Sequence, residues 1–101
     1  MGNYKRKLVT VICEAILEKK IVKVSHDAGI IGYTVIPAAG EGAWGVRRGD
    51  FEHNKNVKIE ILCDDEKAKI ICDSISEKFF ENYAIIVYLS DVTVLRPDKF
   101  S

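Results

Sequence analysis

The chain is predicted to fold as an α+β sandwich, with a four-stranded antiparallel sheet covered on one face by two helices. Three observations carry this. Segments with a two-residue period and segments with a helical period follow one another in the order βαββαβ. Each helical segment carries a single apolar stripe. The 101 residues, 48% of them hydrophobic, allow one domain over residues 1–101 whose core forms without disulfides or metal.

The elements follow in order. Lys7 to Cys13 is rich in β-branched residues (Val9, Thr10, Val11, Ile12) and reads as the first strand. From Glu14 the period changes. Leu17, Ile21, Val24 and Ala28 recur at helical spacing, and Gly29 stands where a helix end needs positive φ. Gly32 to Ile36 forms a short second strand closed by Pro37. In the third strand Val57, Ile59 and Ile61 alternate with Lys58 and Glu60. Asp64, Asp65 and Glu66 then place acids at a helix start, where the dipole favours them, and Ala68, Ile71, Ile75 and Phe79 form that helix's stripe. Tyr83 to Leu95 reads as a fourth strand, bent or bulged at Ser90-Asp91 and ended by Arg96-Pro97. This order is the split βαβ, ferredoxin-like sandwich.

The sheet face without helices also needs a cover. The run from Ala84 to Leu89 does not alternate, and Leu8 to Ile12 is mostly apolar, so these two strands are expected at the sheet centre, buried on both sides. With no further element in the chain, another subunit is the economical cover, and a closed oligomer is expected.

The connection from Pro37 to Asn56 is too long to be only a turn. Four glycines and two arginines lie in Gly40-Glu41-Gly42-Ala43-Trp44-Gly45-Val46-Arg47-Arg48-Gly49-Asp50. Glycine permits close backbone approach to a ligand, and arginine presents a fixed fork of donors to phosphate or carboxylate. The stretch therefore reads as an anion-gripping loop, against the plainer alternative of a solvated loop with surface arginines.

Fifteen basic and fifteen acidic residues cancel, which argues against a nucleic-acid partner or an anionic membrane surface; any anion site must be local. Cys13, Cys63 and Cys72 lie in apolar surroundings without a CxxC or His/Cys spacing, and read as buried free thiols in the cytoplasm. No apolar run approaches the roughly 18 residues of a membrane span, and the start does not read as a signal peptide. His26, late in the first helix beside Asp27, suits the helix dipole and has no catalytic partner in view. Asp50, Glu52 and His53 match no standard metal-ligand spacing, and no metal is expected. Glu14, Lys58 and Glu60 read as cross-strand or interface charges.

The segments Leu8-Val9-Thr10-Val11-Ile12, Gly32-Tyr33-Thr34-Val35, Val57-Lys58-Ile59-Glu60-Ile61 and Phe80-Glu81-Asn82-Tyr83-Ala84, in this order and spacing, resemble the PII signalling superfamily. They are most similar to the PII-like proteins associated with bicarbonate transport and carboxysomes, and the resemblance covers roughly Lys5 to Leu95. It implies a cytoplasmic homotrimer that binds an adenine nucleotide in clefts between subunits. It also implies a long loop between the second and third strands, the T-loop, here at about 38–55, that docks onto a membrane transporter or soluble enzyme. By the same resemblance Tyr33 and Thr34 lie beside the nucleotide, Glu60 and Leu62 lie near the adenine, and Gly40, Gly42, Arg47 and Arg48 belong to the phosphate-gripping loop. Trp44 and Phe51 are the candidates for partner binding, Trp44 also for stacking on a base or folding back over its own subunit.

The chain departs from that pattern where PII-like relatives often carry a basic residue between the loop glycines, a hydroxyl after them and a further arginine. It has Glu41, Ala43 and Trp44 there, and Glu41 beside a phosphate repels it unless it turns away or pairs with Arg48. The junction Glu81-Asn82-Tyr83 also lacks the glycine- and basic-rich loop that holds a triphosphate in nitrogen-regulatory PII proteins. The resemblance thus implies AMP, ADP or cyclic AMP, with bicarbonate as a candidate companion, and no covalent cofactor. The T-loop has no tyrosine to accept uridylylation.

Two other classes share the element order. Acylphosphatases cradle phosphate between the first strand and helix, but Cys13-Glu14-Ala15-Ile16 has no glycine or arginine there, so an enzyme is not expected. The alternative is a trimeric structural or metal-tolerance protein similar to CutA, without nucleotide binding; such proteins lack the Gly/Arg-rich loop.

Overall fold

The structure, a computed structural model, describes residues 3–42, 45–47 and 55–96. Strand β1 (Tyr4–Glu14) leads through a 3-10 turn (Ala15–Leu17) into helix α1 (Glu18–Asp27). Strand β2 (Thr34–Ala38) is followed by two short strands, β3 (Gly40–Gly42) and β4 (Gly45–Arg47), then by β5 (Asn56–Cys63), helix α2 (Asp65–Phe79) and β6 (Ile86–Val94). The main sheet is antiparallel throughout, in the order β2-β5-β1-β6, and β3 pairs with β4 as a separate hairpin. This is the four-stranded antiparallel sheet with two helices that the element order predicts.

The two-residue period of the strands decides which side chains meet the helices. Val9, Val11 and Cys13 of β1 stand opposite Ile61, Ile59 and Val57 of β5. All are buried together with Leu17, Ile21 and Val24 of the first helical region and with Ala68, Ile71, Ile75 and Phe79 of α2. One hydrophobic cluster therefore joins both helices to one face of the sheet.

Both helix ends follow local rules. Asp64 caps α2, its carboxylate accepting the Lys67 N–H at 2.8 Å, with Asp65 and Glu66 in the first turn. At the end of α1, Gly29 adopts φ 91° and donates to the His26 carbonyl at 2.9 Å, while the Ile30 N–H reaches the Ser25 carbonyl at 2.9 Å. These paired bonds satisfy carbonyls that the ending helix leaves open, and Ile30 is buried beneath the turn. The buried Ser25 hydroxyl donates to the Val22 carbonyl at 2.8 Å, so a polar group on the inner helix face has its partner.

Several expectations are corrected. The fourth predicted strand is an edge strand, with β5 and β1 at the centre. Its unbroken apolar run reflects two different half-covered faces: Val87 packs against the helix-side cluster, while Ile86 and Tyr88 point to the uncovered side. It carries no bulge at Ser90-Asp91, because pairing with β1 runs without a slip from Ile12 opposite Ile86 to Tyr4 opposite Val94. Asp91 is accommodated by its hydrogen bond from the ammonium of its register partner Lys7. The strand also starts later than predicted; Tyr83 instead packs its ring on Phe79, centroids 6.0 Å apart.

Pro37 lies inside β2, opposite Val57, since an edge strand tolerates the missing donor. That strand starts at Thr34, two residues later than Gly32. The first helix begins only at Glu18, after Ala15 donates to the Lys55 carbonyl at 2.7 Å and tightens the preceding turn. Cys13 and Cys63 are buried and free, but Cys72 is only half-buried.

Candidate functional site

The uncovered face presents the even-numbered residues of β1 and β5. Register sorts them into rows across the sheet. Leu62 stands beside Leu8 and Ser90; Thr34 is in line with Glu60, Thr10 and Tyr88; Ile36 is in line with Lys58, Ile12 and Ile86. Ile36, Ile86 and Tyr88 are exposed and Leu8, Ile12 and Leu62 half-buried, so the face is largely apolar with one polar row through its middle.

Three residues identified from sequence meet at one edge of this face. Thr34 opens β2 directly opposite Glu60, and Leu62 follows two residues along the same strand. Glu60 is bridged to Lys58, Nζ to carboxylate oxygen 3.7 Å, a pair that the i, i+2 spacing puts on the same side of β5. These charges are thus neighbours on central strand β5, on the face away from the helices.

Tyr33 precedes Thr34 on the exposed connection from α1. Its ring lies 6.3 Å from that of His26, tilted by 58°. His26 is exposed in the last turn of α1, compatible with its placement by the helix dipole. The same connection exposes Ile31 to 84%, a large apolar side chain held out while its neighbour Ile30 is buried. Sequence reasoning passed over Ile31, since two adjacent isoleucines give no indication of which is inside.

The second group lies one residue beyond β2. Ala39 alone separates β2 from β3, and the hairpin sets the backbone of Gly40 opposite Arg47, Glu41 opposite Val46 and Gly42 opposite Gly45. A loop was expected throughout; the regular pairing reflects how readily glycines at these positions let two strands turn closely. Ala43, Trp44, Arg48, Asp50, Phe51, Glu52 and His53 lie outside the described residues, so partner binding by Trp44 and Phe51 and phosphate contact by Arg48 stay expectations.

Other ionisable groups are accounted for structurally. The hydrogen bond and charge of Asp91 raise the Lys7 pKa, and Lys7 lowers that of Asp91 in turn. Burial pushes the Cys63 thiol up to about 11, with a smaller push from Asp64, and burial also raises Cys72. Raised thiols are poor nucleophiles and ligands at neutral pH. Among the described residues no cluster of three His, Cys, Asp or Glu side chains is arranged to hold a metal, and no helix is long and apolar enough to cross a membrane.

Comparison with known proteins agrees with this architecture. The chain is similar to a candidate PII-like signalling protein from Thermus thermophilus, with 37% identity over 100% of both chains and a TM-score of 0.87. It is also similar to CPII, from Thiomonas intermedia, in a structure bound to ADP and bicarbonate (25% identity, 99% of this chain and 98% of that one, TM-score 0.89). A further CPII structure, with ADP, AMP and bicarbonate, matches at 25% identity over 98% of this chain and 96% of that one, TM-score 0.89. The sequence model of the family described as Nitrogen regulatory protein P-II matches residues 6–99. With nearly its whole length matched, the chain belongs to the P-II family.

Proposed function

We propose that this protein is a PII-like sensor of an adenine nucleotide, AMP, ADP or cyclic AMP, with bicarbonate as a companion ligand. It acts as a cytoplasmic homotrimer without enzymatic activity, binds the nucleotide in clefts between subunits, and regulates a membrane transporter or soluble enzyme through the loop at about 38–55. The observation that carries this reading is the full-length likeness to CPII, which binds ADP, AMP and bicarbonate. Two features of this chain support it. Thr34 stands opposite Glu60 at the rim of the uncovered face, and the hairpin that sets Gly40 opposite Arg47 starts one residue past the same strand.

In this reading the nucleotide enters at the β2 edge, where Tyr33, Thr34, Glu60 and Leu62 meet its base and sugar. Gly40 and Gly42 let the backbone approach the phosphate, and Arg47 and Arg48 supply the positive charge. Ligand binding changes the shape of the loop, and the partner reads that shape through Trp44 and Phe51. Glu41 opposes phosphate charge, which favours ligands with fewer phosphates over ATP.

The test is isothermal titration with AMP, cyclic AMP, ADP and ATP, each with and without bicarbonate, on protein whose oligomer has been sized. Saturable binding near one site per subunit, weakest for ATP, is expected. A folded trimer that binds none of the four removes the sensor reading and leaves a trimeric structural protein.

A further inference from the structure

Between the buried Ile30 and Thr34, the first residue of β2, the chain crosses the surface through Ile31, Gly32 and Tyr33, all of them exposed. The turn at Gly29 fixes where this crossing starts, and the pairing of Thr34 with Glu60 fixes where it ends. Neither fixes the Tyr33 ring. A Cβ at Gly32 would meet nothing within 4 Å, so the backbone just before Tyr33 stands clear of its surroundings as well. Among the described residues the ring's aromatic contact is with His26, centroids 6.3 Å apart and planes tilted by 58°, within the range of attractive aromatic pairs. Tyr33 stays 45% exposed in that contact, so much of its ring is open to a ligand.

We propose that His26 is a positioning residue for the ligand edge: its imidazole holds the Tyr33 ring against the end of α1 and leaves the open part of that ring to stack on the planar base of the nucleotide. This rests on the sensor reading and adds to it a residue that acts through Tyr33 instead of touching the ligand. A ring held in one rotamer before the ligand arrives removes an ordering cost from binding. The contact needs a flat aromatic side chain at position 26. A helix dipole alone would be served as well by any cation there, with or without a ring. The adjacent carboxylate of Asp27 is engaged by Lys23 at 3.1 Å, so charge pairing on α1 is met without His26.

The experiment is isothermal titration of the parent with AMP, cyclic AMP and ADP. The tightest of the three is then titrated into His26→Ala, His26→Phe, Tyr33→Leu, and His26→Ala combined with Tyr33→Leu. Both positions are exposed, and urea unfolding checks that each variant stays folded. The expected result is roughly three- to tenfold weaker binding for His26→Ala and near-parental binding for His26→Phe, which keeps a ring and loses the charge. Once Tyr33 is leucine, His26→Ala is expected to cost nothing more. Parental affinity in His26→Ala, or an equal loss in His26→Phe, overturns the assignment of His26 and leaves the sensor reading standing. An undiminished effect of His26→Ala in the leucine background does the same. A parent that binds none of the three nucleotides overturns the sensor reading itself, and the His26 assignment with it.

Discussion

Arg47 and Cys63 show how differently two single residues bear on the molecule. Arg47 ends β4 opposite Gly40 and, in the proposed reading, meets the ligand's phosphate with a charge-assisted contact. Arg47→Ala is expected to leave the proposed homotrimer intact and to lose about 1.5–3 kcal/mol of nucleotide affinity, roughly ten- to a hundredfold, by titration. Equal affinity in the variant for every adenine nucleotide would remove Arg47 from the site. Cys63 acts through the core. Burial raises its thiol to about 11 from an ordinary 9.0, so the folded state holds the proton more tightly than the unfolded chain. Its contribution is therefore complete below pH 9 and lost as pH rises towards and through 11. Urea unfolding at pH 8 and pH 10.5 is expected to show a steeper loss of stability with pH in the parent than in Cys63→Ala. Parallel slopes would contradict the burial argument.

At the scale of elements, α2 depends on its first turn. Asp64 satisfies the Lys67 N–H, which the helix itself cannot do, and stands beside two further acids at the positive end of the dipole. Asp64→Ala is expected to destabilise the protein by about 1 kcal/mol in urea unfolding, with Asp64→Ser recovering most of it. No difference between alanine and serine would mean that the cap is not limiting. The end of α1 depends on conformation more than on contacts. A side chain at Gly29 meets only the end of Lys67 at 3.7 Å, so the constraint there is its φ of 91°. That turn aims the connection carrying Ile31 and Tyr33 towards β2, and thereby links a helix end to the proposed ligand edge.

Among the described residues, the sheet has one face buried under helices and one largely apolar face with no helix over it, which is an unstable arrangement for an isolated subunit. Ile12 lies on the face away from the helix-side cluster, so Ile12→Lys is expected to convert the proposed homotrimer to folded monomers in light scattering while circular dichroism changes little. A lysine variant that stays fully assembled would place the interface elsewhere. Because the proposed ligand cleft lies between subunits, the same variant is expected to lose nucleotide binding in titration.

Element order and the helix-side core were legible from the amino acids alone. Both follow from periodicity, which is a local property of Val9, Val11, Ile59, Ile61, Ile71 and Ile75 wherever their strands and helices are finally placed. Family resemblance brought Thr34, Glu60, Gly40 and Arg47 forward as site residues, and the fold sets them opposite one another in two pairs. The features that strand pairing had to settle are non-local. The apolar stretch from Ile86 to Leu89 fits a centre or an edge strand equally well until pairing puts β6 outside β1. Pro37 looked like a strand end because a missing N–H matters only where a neighbour needs it, and on an edge strand one side has none. Thr10 was indistinguishable from the β-branched residues around it, since a hydroxyl becomes an unmet hydrogen bond only when strands on both sides have enclosed it.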